Sequence, residues 1–479
     1  MDVESKLKYL KEARDRHVTA EDGGKPSARK RIESILDENS FLELSTFMKT
    51  EQEEGKEIIA GAGTIDSRPI YIFAQDVTSN NGILSDKAVQ KILCLIKQAG
   101  STGTPLIGVL DGLGVQIKDG LKALKFYGKL FSSYAAYSGV IPLITFAAGS
   151  CPGGLSFIAG LSDFVIGIKG RSNIFLNSPG LVKDITGEDI TLENLSGTGI
   201  HTEKSGLIHF TADKEEEAFQ LIKELISYLP LNHLEESPLK DTDDDINRIS
   251  PKLAEILLTD DYDVRDVVKE IADNHNYLEV QENYAPNLVV GFMKLNGYSL
   301  GVIANQPKKY SGSLDVNSCI KGSRFIRFCD AFNIPLLTLV DVPGFLPTAY
   351  QEQSGIVSHG AKLLFAYGEA NIPMLTLILN KGYGTAGVTM GSKFLGVDLV
   401  LAWPTAQIGA LTPKGLSGLL SIPDEESEKI VSPYEAAAHG MVDDIIDPGE
   451  SRARIIYGLE FLKNKKRYLS GKKHGNFPL

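Results

Sequence analysis

Apolar and polar positions alternate along this chain in blocks that predict strands and helices in a recurring order. Residues 1 to about 20 set Leu7, Leu10 and Ala13 on one face of an amphipathic helix. A polar break, Glu21–Ser27, precedes a second helix at Ala28–Leu36. Strands are predicted at Glu57–Ile65 and Pro69–Gln75, with Asp66-Ser67 as the turn between them. A helix follows at Leu84–Ala99, then a strand at Leu106–Leu110. Gly112–Gly120 is a turn region leading into a long helix, Leu121–Ser138. The apolar run Leu143–Ala148 has the length and the β-capable residues of a strand buried on both faces. The turn Gly149–Gly154 comes next, and Leu155–Leu161 starts a helix. Asp213–Tyr228 is a helix with an acidic start. Leu229–Asn247, with two prolines and the acidic patch Asp241–Asp245, is the predicted domain linker.

The second half of the chain runs through the same order. IPLITFAAGSCPGGLSFIAGLSDF at Ile141 has its counterpart in IPMLTLILNKGYGTAGVTMGSKFL at Ile372. Pro142 and Pro373 are 231 residues apart, and so are Gly153 and Gly384. The preceding strands also correspond, TPLIGVLD ending at Asp111 and IPLLTLVD ending at Asp341. FLEL at Phe41 resembles YLEV at Tyr277, and Gly61–Gln75 resembles Gly291–Asn305, with Asn296-Gly297 as the second turn. A period this long indicates two homologous domains, because solenoid repeats run to about 20–50 residues. Strands and helices in alternation with buried apolar strands give an α/β class. The expected domains are residues 1–240 and 245–479.

Composition narrows the function. The chain has 479 residues, 49 Lys plus Arg and 61 Asp plus Glu, for a net charge of −12. That balance disfavours a nucleic-acid surface but leaves room for a local basic pocket. The four cysteines (Cys94, Cys151, Cys319 and Cys329) show no CxxC spacing, so no zinc ribbon or thioredoxin motif is expected. Scattered thiols fit a reducing compartment, and a cytoplasmic location is expected. The charged N-terminus does not read as a secretion signal. No run reaches the roughly 18 apolar residues of a membrane span, so no membrane insertion is expected.

The candidate chemistry lies in the turns. A strand, a Gly-rich turn and a helix N-terminus together present backbone N–H groups with no partner inside the helix. Such a turn holds an anion, including one that exists only during a reaction. Gly153 and Gly154 form one such turn and Gly384 the other. Beside each lies a second donor: Val115 after Gly112-Leu113-Gly114, and Phe345 after Val342-Pro343-Gly344. Two sites of this kind suit a reaction that develops two oxyanions. No Ser-His-Asp constellation, GxSxG elbow or HExxH motif is present, and no metal is expected. Cys151 is read as a buried structural thiol, and His201, His209, His359 and His439 as structural.

Six segments carry a family resemblance: Leu300–Pro347, SGVIPLITFAAGSCPGG, HGAKLLFAYGEANIP, AWPTAQIGAL, EAAAHGMVDDIIDP and the terminal KKHGNFPL. Over almost its full length the chain resembles the carboxyltransferase subunit of biotin-dependent acyl-CoA carboxylases, the group that includes the propionyl-CoA carboxylase β subunit. The resemblance implies two tandem crotonase-like ββα-spiral domains, and a hexamer with each site between the first half of one subunit and the second half of another. It implies that the first half binds acyl-CoA, with the thioester oxygen near the N–H groups of Gly153, Gly154 and Val115. The second half would hold carboxybiotin, its ureido oxygen facing Gly384, Thr385 and Phe345. Gly114 and Val388 are the implied substrate-contacting positions. In the implied reaction carboxybiotin releases CO2, the biotin enolate takes the substrate α-proton, and the thioester enolate attacks CO2. Biotin carboxylase and biotin carboxyl carrier partners are implied, since the chain has no GxxxxGK[ST] phosphate loop and no biotin carboxylase sequence. Phe292-Met293-Lys294-Leu295 is like a biotinyl-lysine motif but is read as an ordinary strand.

The chain departs from the family at both turns. The usual Ser-Gly-Gly-Ala-Arg is here Gly112-Leu113-Gly114-Val115-Gln116, and the usual Pro-Cys-Ala-Gly-Gly is Ser150-Cys151-Pro152-Gly153-Gly154. Tyr-Gly-Gly-Ala-Tyr-Asp is Tyr383-Gly384-Thr385-Ala386-Gly387-Val388, which makes the acyl wall apolar at Val388. A decarboxylase α subunit running the transfer in reverse, and a non-catalytic scaffold of a carboxylase complex, are the alternatives. An ordinary crotonase hydratase would lack the second half.

Overall fold

Runs that are apolar at every position become central parallel strands, and the two Asx-containing turns close antiparallel hairpins. The computed structural model describes residues 2–15, 26–48, 56–116, 120–256, 261–465 and 475–478. The chain divides into two units, Met1–Ser227 with Leu231–His233, and Tyr228–Pro230 with Leu234–Leu479.

The strands of the first unit are β1 (Leu42–Glu43), β2 (Ile58–Ile65), β3 (Arg68–Gln75), β4 (Leu106–Leu110), β5 (Leu143–Ala147), β6 (Ser150–Pro152), β7 (Phe164–Ile168), β8 (Asn173–Phe175) and β9 (Phe210–Ala212). Seven of them form one sheet in the order β1-β2-β3-β4-β5-β7-β9. The first three are antiparallel, and β3 onward are parallel. Every residue of β4, β5 and β7 is buried, as parallel strands covered on both faces require. Helices Asp86–Thr102, Leu121–Tyr137 and Gly154–Leu161 supply Ile92, Ile96, Leu130, Tyr134, Leu155 and Ile158 to this core.

In the second unit β10 (Tyr277–Val280), β11 (Leu288–Leu295), β12 (Tyr298–Asn305), β13 (Leu336–Val342), β14 (Met374–Tyr383), β15 (Leu399–Ala402), β16 (Gln407–Gly409) and β17 (Asp444–Ile445) repeat the plan. The order is β10-β11-β12-β13-β14-β15-β17, with β16 paired to the end of β14. The register repeats as well: Glu43 faces Gly61, and Glu279 faces Gly291. Both hairpins turn on two residues of positive φ, Asp66 (50°) and Ser67 (63°), Asn296 (50°) and Gly297 (80°). That geometry matches the right-handed twist of the flanking strands. Each turn is held by a carboxylate distant in sequence. Asp37 accepts the N–H groups of Asp66 and Ser67 at 3.0 and 2.8 Å. Asp273 accepts those of Asn296 and Gly297 at the same two distances. Phe292–Leu295 lies within β11, as an ordinary strand.

Three expectations shift. The helix expected from Leu84 starts at Asp86, because the Ser85 side chain caps it by accepting the Ala88 N–H. It runs on to Thr102, where Gly103 takes the left-handed conformation (φ 63°). The unit boundary falls near residues 228–234, earlier than the acidic patch. Leu234 onward belongs to the second unit, where Lys294 Nζ donates to the Pro238 carbonyl at 2.6 Å and Asp244 pairs with Arg248 at 2.7 Å. The N-terminal helix spans Val3–Asp15 with Leu7 and Leu10 exposed; the Ala13 side chain and residues Glu21–Lys25 lie outside the described residues.

Candidate active site

The strand ends of the first unit are braced before any donor is presented. The Asp111 N–H donates to Gln75 Oε1 at 3.1 Å, and Gln75 Nε2 donates to the Gly82 carbonyl at 2.9 Å. The Asp111 carboxylate is buried with Arg31 (3.1 Å), whose guanidinium forks onto Glu215 at 2.9 Å twice, and Arg171 reaches Glu215 at 2.6 Å. Gly149 makes this possible: a Cβ there would lie 2.0 Å from Asp111 Oδ1. The second unit repeats the brace with different charges. The Asp341 N–H donates to Asn305 Oδ1 at 3.3 Å, and Asn305 Nδ2 donates to the Gly312 carbonyl at 3.1 Å. Asp341 accepts the Lys381 N–H and the Tyr262 hydroxyl at 3.1 and 3.0 Å. Burial holds its pKa above the usual carboxylate value.

The turn after each braced strand makes a single parallel bridge, Leu84 with Val115 and Leu314 with Phe345. The Leu84 N–H donates to the Gly114 carbonyl (2.8 Å) and the Gln116 N–H returns to the Leu84 carbonyl (3.2 Å). Val115 is skipped by that ladder, and its N–H donates to the Tyr127 hydroxyl at 3.1 Å. The Gly154 backbone lies against the ring of the same residue, where a Cβ would come within 2.3 Å of it. The oxygen that takes the Val115 N–H is therefore the protein's own. In the second unit Leu314 N–H and Leu346 N–H complete the ladder at 3.1 and 2.8 Å. The skipped Phe345 N–H has no partner among the described residues.

Gly153 requires a correction. It was expected as an oxyanion donor, but its N–H donates to the Phe175 carbonyl at 2.7 Å. The cause is that Ser150–Pro152, read as a loop, is strand β6, paired in parallel with β8. Gly153 extends that ladder and then turns with φ 57° into helix Gly154–Leu161. Pro152 fits because β6 is paired with β8 alone. Gly384 stands in the same place: Lys381–Tyr383 pair with β16, and Gly384 turns with φ 58° into helix Gly384–Thr389, which carries Thr385 and a half-exposed Val388.

The chain matches the carboxyl transferase domain over residues 20–477. It belongs to that family. It is 39% identical to the propionyl-CoA carboxylase carboxyltransferase subunit of Haloferax mediterranei over the full length of both chains. It is 41% identical to the methylmalonyl-CoA decarboxylase α subunit of Veillonella parvula, covering 95% of this chain and 94% of that one. The crystal structure of the transcarboxylase 12S hexamer with hydrolysed methylmalonyl-CoA superposes with a TM-score of 0.96 at 38% identity, covering 100% and 99% of the two chains. The protein is thus a carboxyltransferase of the propionyl-CoA carboxylase β-chain type, with the α/β fold of its solved relatives.

No side chain of this carboxyltransferase stands out as a nucleophile. Burial pushes the Cys151 thiol far above its ordinary pKa, with Asp111 adding to it. His201 bonds the Ile174 carbonyl (2.6 Å) and Ser205 (2.8 Å), and burial lowers its pKa. His209 Nδ1 accepts the Val165 N–H at 3.1 Å, and His439 lies beside Glu435 on an exposed helix. Burial, with Lys362 nearby, lowers the pKa of His359. Among the described residues no group of His, Cys, Asp and Glu is placed to hold a metal, and no helix is long and apolar enough to cross a membrane. Sequence reasoning missed Tyr127, which reads as one more aromatic on an apolar helix. It also missed Gln75 and Asn305, although their 230-residue spacing repeats that of Asp111 and Asp341.

Proposed function

We propose that the protein moves a carboxyl group between carboxybiotin, carried on a partner protein, and the α-carbon of a short-chain acyl-CoA. The observation that carries this reading is the duplicated turn pair: Val115 with Gly154, and Phe345 with Gly384-Thr385, each beside a braced strand end. Such a pair suits a reaction with one oxyanion at each end, the thioester oxygen at the first unit and the ureido oxygen at the second. Carboxybiotin, when bound, supplies the CO2 and the base for the α-proton. The chain's own part is to hold the two oxygens, to keep Asp111 and Asp341 as fixed braces, and to shape the acyl wall at Val388, which takes an apolar substituent. In this reading the first unit is the acyl-CoA domain and the second, from Leu234 on, the carboxybiotin domain, both of crotonase type. Biotin carboxylase and biotin carboxyl carrier subunits are the partners, the assembly is a hexamer, and the compartment is the cytoplasm, in keeping with four free cysteines.

The test is carboxyl exchange between free biotin and a panel of malonyl-type CoA thioesters. Transfer to or from at least one short-chain thioester is expected. A purified protein that binds acyl-CoA in calorimetry but exchanges no carboxyl group with any of them would overturn the reading in favour of a scaffold. The kinship with a decarboxylase α subunit favours a second reading, transfer from acyl-CoA to biotin. A faster reaction in that direction, together with co-purification of membrane subunits, would decide for it.

A further inference from the structure

A backbone donor of the first unit ends on a phenol. Tyr127 Oη accepts from the Val115 N–H at 3.1 Å. A phenol oxygen both accepts hydrogen bonds and gives one. The hydroxyl proton has no acceptor among the described residues. The group is held rigidly. Its ring stacks on Phe131 with centroids 5.6 Å apart and planes 17° apart, and Phe131 meets Phe157 edge-on at 5.6 Å. The ring lies against Gly154, where a Cβ would come within 2.3 Å of it, and a Cβ on Gly114 would come within 2.9 Å of the hydroxyl. Both glycines therefore make space for this one side chain.

The second unit has no equivalent. Leu363 and Tyr367 of helix Ile356–Glu369 follow Leu130 and Tyr134 of helix Leu121–Tyr137 by 233 residues, in the same buried pattern. The same step takes Tyr127 to Gly360, and the Phe345 ring lies over it, 3.3 Å from where a Cβ would be. One turn thus ends in a hydroxyl and the other presents an N–H directly.

We propose that the thioester oxygen of the acyl-CoA is held by the Tyr127 hydroxyl, itself oriented by the Val115 N–H group and by the stacked ring, so that Tyr127 is a catalytic residue of the first unit. The proposal rests on the carboxyl-transfer reading and revises its donor. The N–H group donating into the phenol oxygen polarises its O–H, since chains of hydrogen bonds strengthen one another. As the α-proton leaves, charge grows on the thioester oxygen and the O–H···O bond tightens. The phenol keeps its proton, because burial raises its pKa above the ordinary value. The duplicated turn then serves different oxygens with different donors, a hydroxyl for the thioester and amides for the ureido group.

Tyr127→Phe in the full-length protein tests this, with circular dichroism to show the fold intact. Three quantities are read: turnover in the biotin exchange assay, propionyl-CoA affinity by calorimetry, and the thioester carbonyl stretch of bound propionyl-CoA by difference infrared spectroscopy. Turnover is expected to fall by roughly 10²-fold or more. Affinity should stay within about threefold, and the carbonyl stretch should move toward its value in water. Unchanged turnover with an unchanged carbonyl stretch overturns the proposal. Tighter acyl-CoA binding with equal or faster turnover also overturns it, because the phenol would then be an occupant that substrate displaces. Wild type that binds no acyl-CoA removes the carboxyl-transfer reading and this proposal together. Wild type that binds but transfers nothing removes only the first, and the carbonyl stretch still decides the second.

Discussion

At the scale of single residues, neighbouring glycines in one turn have separate jobs. Gly153 sits at φ 57° with its N–H spent on Phe175, so its place is conformational. Gly154 is not strained, but its missing side chain admits the Tyr127 ring. Gly153→Ala is expected to destabilise the protein by about 1–3 kcal/mol, the cost of holding a residue with a Cβ at φ 57° and ψ −128°, where glycine alone is at ease, read in denaturant unfolding. Gly154→Ala should also cost stability, because a Cβ there would lie 2.3 Å from the stacked Tyr127 ring, and the variant that folds should show carboxyl transfer lowered by about tenfold or more, since the ring that carries the phenol is pushed aside. Equal transfer by folded Gly154→Ala would show that the ring's position does not matter. Val388→Asp is expected to shift preference among acyl-CoA thioesters without abolishing exchange, since it charges the half-exposed wall and removes no donor. Of these roles the sequence showed only that the glycines mattered. The carbonyl that takes the Gly153 N–H lies 22 residues on, in a strand too short to read from periodicity.

At the scale of elements, a buried lysine ties a helix to a loop. Lys321 on helix Val316–Ala331 donates to the carbonyls of Gln281 and Tyr284 at 2.9 and 2.8 Å. It thereby pins a loop in which Gln281 and Ala285 both have positive φ. Lys91, 230 residues earlier, is buried on the corresponding helix of the first unit. Burial lowers the pKa of Lys321 to about 7 from an ordinary 10.5. Below pH 7 folded and unfolded chains both carry the ammonium, and the folded state bears its full desolvation cost. Between about 7 and 10.5 the unfolded chain holds the proton that the folded chain has released, so stability rises with pH across that window. Denaturation series at pH 6.5, 8 and 9.5 should show the rise, and Lys321→Met should flatten it. The same variant should lose about 1–3 kcal/mol by leaving loop carbonyls unpaired. A slope that survives in Lys321→Met would place its origin elsewhere. The hairpins, by contrast, were legible, because Asp66-Ser67 and Asn296-Gly297 are local turn chemistry. The carboxylates of Asp37 and Asp273 that hold them were not, because nothing local links them to the turns.

At the scale of the whole molecule, two units share one strand order and one register but not one chemistry at their strand ends. Asp111 is held by arginines and Asp341 by a tyrosine and a backbone N–H. Tyr127 has its counterpart in Gly360. Duplication followed by such divergence fits, on the proposed reading, two oxygens of different kinds. Light scattering should find an oligomer, a hexamer on the proposed reading. A stable monomer of 52.0 kDa that exchanges carboxyl groups at full rate would exclude that.

The sequence by itself determined the duplication, the order of the main elements along each half, the hairpin turns and the two Gly-rich turns. These are carried by apolar periodicity and by Gly, Pro and Asx residues acting over a few positions, and each is written twice. Only the tertiary structure decided which of those turn N–H groups remain available. A backbone donor is claimed by whichever acceptor the fold brings within about 3 Å. For Gly153 that acceptor is a carbonyl of a neighbouring strand, and for Val115 it is a phenol on a helix that periodicity assigns to the core.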